Sequence, residues 1–382
     1  MNESDKQNSL LPSGFTDLLP PDAQQEAAAI NGLMGVFSAF GYERIKPPLV
    51  EFEESLLSSG PGAALSGETF RLMDPVSHRM MGVRSDMTPQ TGRIATARLG
   101  HEPRPLRLAY AGDVLRTKAS GRRIERQFGQ AGCELIGVDS LEADIEVCVV
   151  AIKALSALGI ADVSIDLCAP RLLGKLIADY GLEEEAEDIR AAVDHKDVST
   201  LEAGKDKGRK TLAALVMAAG VPEKTLEALR GIDLPEDAKG DIERLIGVCE
   251  GVSKAIAELG LEGVRVTLDP LERKGFEYQS GIGFTLFATE VRGELGRGGR
   301  YGIDRGEGGQ ETAAGFTLYM DTVRTGMPRA QKKDKVFVSA AEGWDVIAKL
   351  QDEGWTVLRE SGHDSAKAGA SHIYKNGKVV KI

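Results

Sequence analysis

The stretch RLAYAGDVLRTKASGRRIERQFGQAGCELIG, running from Arg107 to Gly137, carries the most information about the fold. Leu108, Tyr110, Val114 and Leu115 make an apolar strand, Gly121, Arg122 and Arg123 a charged turn, and Phe128, Cys133, Leu135 and Ile136 a second strand. Gln127, Gln130 and Glu134 interrupt that second strand where an ordinary core strand would be apolar. Gln130 and Glu134 stand an even number of residues apart, so both face the same side of the sheet. A hairpin with Arg116 on its first strand and carboxamide and carboxylate groups on its second is a pocket wall. It can hold a phosphate at one end and an ammonium or imidazole at the other.

Around this hairpin lies a chain of 382 residues, enough for a large core and two or three units. Hydrophobic residues make up 42% and charged residues 27%, the composition of a soluble globular protein. A net charge of -11 argues against a chain whose main task is to hold nucleic acid. The cysteines, Cys133, Cys148, Cys168 and Cys249, form no CxxC pair and read as buried reduced thiols of a cytoplasmic protein. The histidines form no HxH or HExxH pattern, so neither a metal nor another cofactor is expected. The polar first ten residues contain no targeting segment, and the longest apolar run, Val147 to Ile152, is far short of a membrane span.

Residues 1–10 read as a disordered start. Asp22 to Phe40 reads as a helix with Ile30, Leu33, Met34, Phe37 and Phe40 on one face, ended by Gly41. Tyr42 to Glu51 reads as a strand that Pro47 and Pro48 confine to an edge or an interface. Leu141 to Leu158 is a strong helix, with acids early and Lys153 late. Residues 171–260 carry only amphipathic helical patterns and read as an insertion between two parts of a sheet-based domain. Strand patterns return at Val264 to Leu268 and Ile282 to Ala288. Gly293 to Gly309 is glycine-rich and charged, with Gly298-Gly299 read as a turn, and Thr312 to Thr325 is a strand running into a helix. Ala330 to Asp334 is a polar linker, and residues 335–382 form a small α/β appendage. Together with the resemblance that follows, these patterns imply the α+β class, an antiparallel sheet flanked by helices.

In their order, these segments resemble the class II aminoacyl-tRNA synthetases of the histidyl type, over residues 11–325. Phe40-Gly41-Tyr42 and Pro47 to Glu51 look like motif 1, which implies a homodimer through that region. Val83-Arg84-Ser85-Asp86-Met87-Thr88 stands where the family has Arg-Pro-Glu-x-Thr, and the hairpin above looks like motif 2. Lys274-Gly275-Phe276-Glu277-Tyr278-Gln279-Ser280-Gly281 aligns with the family's histidine segment, Arg-Gly-Leu-Asp-Tyr-Tyr-x-Gly, and Gly298-Gly299-Arg300-Tyr301 with its Gly-Gly-Arg-Tyr turn. The resemblance implies a histidine pocket made of Asp86, Thr88, Arg116, Gln130, Glu134, Lys274 and Tyr278. Asp86 would take the α-ammonium, Arg116 the α-carboxylate and Glu134 the imidazole N–H.

The departures redirect the functional reading. The motif 3 arginine that would clamp the ATP γ-phosphate is Thr322, and Tyr319 stands where a glycine admits ATP. The motif 2 loop reads Arg116-Thr117-Lys118 instead of Arg-x-Glu, and the histidine segment begins with Lys274 and has Gln279 for its second tyrosine. Lysine does not replace a guanidinium fork, and lost forks remove transition-state stabilisation. The anticodon-binding domain is reduced to residues 335–382. In all this the chain is similar to the regulatory subunits of ATP phosphoribosyltransferase. That resemblance implies no catalysis of its own, a short-form catalytic subunit as partner, histidine as effector, and no tRNA. An active histidyl-tRNA synthetase, or another ATP-dependent amino-acid-activating enzyme, is the alternative. Bland readings stand beside these: Asp86 as a helix cap, Arg116 as a surface ion-pair residue, Lys274 with Arg273 as a solvated pair, and Arg122, Arg123 and Arg126 as a solvated or subunit-facing loop.

Overall fold

A computed structural model describes residues 10–57, 61–119, 123–204, 206–261, 263–276, 278–305, 309–329, 334–361 and 369–382. Residues 1–9 of the polar start, Gly121 and Arg122 of the charged turn, Glu277, and residues 330–333 of the linker lie outside the described residues. The chain divides into two compact units, Met1–Pro328 and Arg329–Ile382.

In the first unit, helix α1 (Asp22–Ala39) buries Ala29, Leu33 and Phe37 on one stripe. Pro47 and Pro48 split what the sequence suggested was one strand into β1 (Glu43–Arg44) and β2 (Val50–Phe52). β2, β3 (Arg71–Met73) and β4 (Met80–Val83) form a small antiparallel sheet in the order β2-β4-β3. Helix α2 (Thr88–Ala97) follows, then β5 (Leu106–Leu115), β6 (Gln127–Ile136), helix α3 (Leu141–Ala157) and β7 (Val163–Cys168). Ser140 caps α3, its hydroxyl accepting the Ala143 N–H at 3.2 Å. β7 is a strand that the sequence reading passed over.

Helices α4 (Leu172–Asp179), α5 (Ala186–Asp194), α6 (Val198–Ala203), α7 (Lys207–Ala218), α8 (Pro222–Gly231) and α9 (Glu236–Glu258) lead to β8 (Arg265–Leu268). β7 and β8 are parallel neighbours, so these helices are the crossover that parallel pairing requires. Their leucines share one core with α3 and the sheet. β9 (Gln279–Ala288), β10 (Gly296–Asp304), β11 (Gln310–Tyr319) and helix α10 (Met320–Gly326) complete the unit.

The main sheet runs β1-β5-β6-β11-β10-β9-β7-β8. Its six inner strands are antiparallel, and one parallel strand is added at each end. Gly298-Gly299, expected to be a turn, lies inside β10 near the sheet centre. Ladders to β9 and β11 satisfy its backbone there, and a bulge against β9 falls between Gly299 and Tyr301. α1 and α3 cover one face of the sheet, where Phe37 meets Phe316 edge to face at 5.6 Å.

The second unit has strands β12 (Lys335–Val338), β13 (Thr356–Arg359), β14 (His372–Lys375) and β15 (Lys378–Lys381) in the order β13-β12-β14-β15. Helix α11 (Trp344–Asp352) packs Ile347 and Leu350 against Val336 and Val338. Among the described residues, no helix is long and apolar enough to cross a membrane.

A buried ion cluster ties β10, α3 and α9 together. Asp144 accepts from Arg300 Nε at 2.8 Å and from Arg244 Nε at 2.6 Å, and both Asp144 and Arg300 are 3% exposed. Removing one partner strands the other charge in the core, which costs about 3–5 kcal/mol. Asp144→Ala is therefore expected to lower the unfolding free energy by roughly that amount in urea titrations; a loss under about 1 kcal/mol would mean that the arginines find water instead.

Candidate functional site

Strand alternation places Ala131, Cys133, Leu135, Phe316 and Leu318 against α1 and α3. The intervening Gln130, Glu134, Gly315, Thr317 and Tyr319 therefore face the other side. A cavity of about 30 Å³ lies there, lined among others by Asp86, Thr88, Glu134, Tyr278, Arg297 and Tyr319. It has room for about one or two waters. A second cavity, of about 170 Å³, shares the Thr88 and Tyr301 walls.

Glu134 is the centre of this side. It is 1% exposed and takes hydroxyls from three separate elements. Tyr110 on β5 donates at 3.1 Å and Thr88 on α2 at 3.2 Å, both to Oε1, while Tyr301 on β10 donates at 2.9 Å to Oε2. Tyr110 also lies 2.7 Å from the Thr317 hydroxyl. Burial pushes the Glu134 carboxyl up to about 8, and the Tyr301 and Tyr110 hydroxyls only partly oppose this. Burial likewise raises both phenols well above their usual range, so they remain O–H groups at neutral pH. Gly315 on β11 is required here: a Cβ at that position would stand 1.8 Å from Glu134 Oε2.

The residues named from sequence distribute unevenly. Asp86 does both things read for it. It lines the cavity, and its Oδ1 accepts the Thr88 N–H at 2.8 Å at the start of α2. Gln130 does not line the cavity. Its Oε1 accepts the Met87 N–H at 3.1 Å and its Nε2 donates to Asp86 Oδ2 at 2.8 Å, so it positions Asp86. Arg116 also stands outside the lining, donating to the Ser85 carbonyl at 3.3 Å, with Glu68 at 3.4 Å and Asp86 at 4.0 Å. Tyr278 lines the cavity and meets Tyr301 edge to face at 5.9 Å. Lys274 does not. It is exposed, 3.5 Å from Asp194, and Arg273 holds the same carboxylate at 2.9 Å. The solvated-pair reading describes it better than the pocket reading, because its preceding turn points the side chain to an acid on α5.

At the end where a synthetase would hold ATP, the Thr322 hydroxyl donates to the carbonyls of Glu294 at 2.8 Å and Tyr319 at 3.0 Å. Arg123, expected in a solvated loop, is largely buried. Its guanidinium lies 4.1 Å from the Tyr319 ring centre and 4.3 Å from that of Phe128, and Nε donates to Asp321 at 2.7 Å. Arg297, Tyr110, Tyr301 and Thr317 were not named as pocket residues from sequence. Even spacing back from Tyr301 would have found Arg297.

The raised Glu134 carboxyl has a measurable consequence. An unfolded glutamate titrates near pH 4.3, roughly. The folded chain holds that proton up to about pH 8, so stability is fully present below the unfolded value and falls as pH rises through the folded one. The slope is at most about 1.4 kcal/mol per pH unit. Glu134→Gln, which keeps the shape without the titration, is expected to lose less stability than the wild type between pH 5 and pH 8 in urea titrations. Equal losses would mean that the carboxylate is already ionised in the folded state.

Known proteins agree with this geometry. Residues 14–323 match the family model described as Histidyl-tRNA synthetase. An ATP phosphoribosyltransferase regulatory subunit of Paramagnetospirillum magneticum is 48% identical over 359 residues, covering 94% of this chain and 92% of its own length. One from Rhodospirillum centenum is 46% identical, covering 98% and 96%. A crystal structure from Bacillus halodurans, described as an ATP phosphoribosyltransferase regulatory subunit/histidyl-tRNA synthetase, shares the fold with a TM-score of 0.80 at 22% identity, covering 96% of each chain. With the motif 3 clamp replaced by Thr322 and close relatives along nearly its whole length, the chain belongs to the family of ATP phosphoribosyltransferase regulatory subunits, built on the histidyl-tRNA synthetase fold.

Proposed function

We propose that this chain is a non-catalytic subunit that completes a short-form catalytic ATP phosphoribosyltransferase in the cytoplasm, at the first step of histidine biosynthesis. It transmits feedback by histidine and neither binds tRNA nor activates an amino acid. The observation that carries this reading is the ATP end of the site. Thr322 is engaged with two backbone carbonyls, and the stack of Arg123, Phe128 and Tyr319 occupies the adjoining space. Phosphoryl chemistry needs fixed cationic forks at the developing charge, and the guanidinium present there, Arg123, lies over the Phe128 and Tyr319 rings with its Nε bonded to Asp321.

Histidine fits the other end by chemistry, with Asp86 for its ammonium and Glu134 for an imidazole N–H. The small cavity is narrower than histidine, so binding requires its walls, Tyr278, Gln279 and Tyr319 among them, to move; the larger cavity shares the Thr88 and Tyr301 walls. A homodimer through the motif 1 region is supported by the exposed apolar side chains of Leu49 beside β2 and of Leu72, Met73, Val76 and Met80 around β3 and β4.

Three measurements test this reading. The purified chain is expected to give no histidine-dependent ATP–pyrophosphate exchange, and exchange above background would overturn the non-catalytic role. In calorimetry at neutral pH, where burial keeps the Glu134 carboxyl protonated, Glu134→Ala is expected to weaken histidine binding about 2- to 10-fold, the value of a neutral hydrogen bond; unchanged affinity would move the effector site elsewhere. In sedimentation, the wild type is expected to be a dimer at micromolar concentration, and Met73→Glu with Val76→Glu to shift it towards monomer. A wild-type monomer would remove the dimer from the proposal.

A further inference from the structure

Three cations were available to hold the carboxylate of an amino acid in the small cavity, and the geometry separates them. Lys274 is turned out to Asp194, and Arg116 is engaged with Ser85, Glu68 and Asp86 outside the lining. Among the described residues, Arg297 is the cationic side chain that lines the cavity. We propose that Arg297 is the residue that binds the carboxylate of the amino-acid ligand, taking over the task that the resemblance gave to Arg116 and Lys274; this rests on the reading of the cavity as a histidine site.

Arg297 sits on β10 four residues before Tyr301, so it faces the same side as the tyrosine that holds Glu134. Its guanidinium is fixed before any ligand arrives. Nη1 donates to the Gly275 carbonyl at 2.7 Å, Nε donates to Glu294 Oε2 at 3.2 Å, and Nη2 donates to the same oxygen. Those bonds use three of five N–H donors, and a fork of two remaining hydrogens matches the two oxygens of a carboxylate. The approach to Gly275 is close enough to dictate the residue there: a Cβ would stand 1.5 Å from Nη1, and the backbone φ is +82°. The glycine of the histidine segment thus makes the passage for an arginine from the neighbouring strand.

The rest of the lining has the opposite polarity. Asp86 and Glu134 offer acceptors, so a cation alone would be satisfied without Arg297, whereas a zwitterion needs both signs. The Gln279 Oε1, on the same lining, is buried and has no hydrogen-bond partner among the described residues. An acceptor facing a cavity can take an N–H from a ligand or a bond from a water. Arg297, Gln279, Asp86 and Glu134 together define a site for a small amino acid with a hydrogen-bonding side chain.

The test is calorimetry of the full chain with L-histidine and with histamine, which has the ring and the amine but no carboxylate. Arg297→Gln is expected to weaken histidine binding about 10- to 100-fold and histamine binding little, so that the preference for histidine collapses. Arg297→Lys is expected to restore part of that preference, and Lys274→Ala to leave it unchanged. If Arg297→Gln does not fold, the lysine variant decides, since a loss confined to histidine supports the assignment. A preference undiminished in the Arg297 variants, or lost in Lys274→Ala, overturns it and leaves the histidine reading standing. No binding of histidine by the wild type overturns both.

Discussion

The site depends on one buried carboxylate. Glu134 is enclosed in the protein, yet among the described residues no cation is bonded to it; three hydroxyls from β5, α2 and β10 hold it instead. An acid in that position is tolerated because burial keeps it protonated to about pH 8 and because every hydroxyl around it can reverse its donor role. The requirement spreads outward. β11 must carry Gly315 beside it, β5 must present Tyr110, and β10 must enter the sheet in the register that delivers Tyr301. The order of the central strands and the position of α2 are thereby tied to a single side chain. Hydrogen-bonded groups of this kind stabilise the fold less than apolar packing would, but they leave a polar floor on which a ligand donor can land.

Much of this was legible in the residues between Arg107 and Gly137. The alternation of Phe128, Gln130 and Glu134 with Ala131, Cys133 and Leu135 marks a strand with a helix-covered face and a polar face, and β6 has both. The helical stretch between the sheet strands followed from periodicity, and the α+β class from the resemblance. Gly298-Gly299 misled, because a glycine pair signals a turn locally, whereas here ladders on both sides hold it in a central strand. β7 was missed because Val163 to Cys168 alternates apolar residues with Ser164 and Asp166 in only six residues, too short to stand out beside the helix before it. Lys274 was weighted by its place in a motif, but side-chain direction after a turn is set by tertiary contacts that a motif does not carry. Arg297 was within reach of the period-two rule, had Gly296 to Asp304 been read as a strand.

Set against the synthetase resemblance, the two ends of the site have diverged differently. Where the resemblance would place a nucleotide, Thr322 stands for the clamp arginine and Arg123 lies over the Phe128 and Tyr319 rings with its Nε bonded to Asp321. At the amino-acid end the polar groups persist, with a cation supplied from a different strand. Loss of the one and retention of the other is the pattern expected where recognition of an amino acid is kept and its activation is not. Binding energy that an activating enzyme would devote to a transition state is then free to bias a conformation.

In the proposed role the chain is a receptor whose output lies in another polypeptide, and reconstitution tests that role most directly. A short catalytic ATP phosphoribosyltransferase subunit would be assayed for phosphoribosyl-ATP formation alone, with this chain added, and with this chain and histidine. The expected result is low activity alone, activity restored by this chain, and inhibition by histidine only in the assembled pair. Full activity and full histidine inhibition of the catalytic subunit by itself would contradict the account.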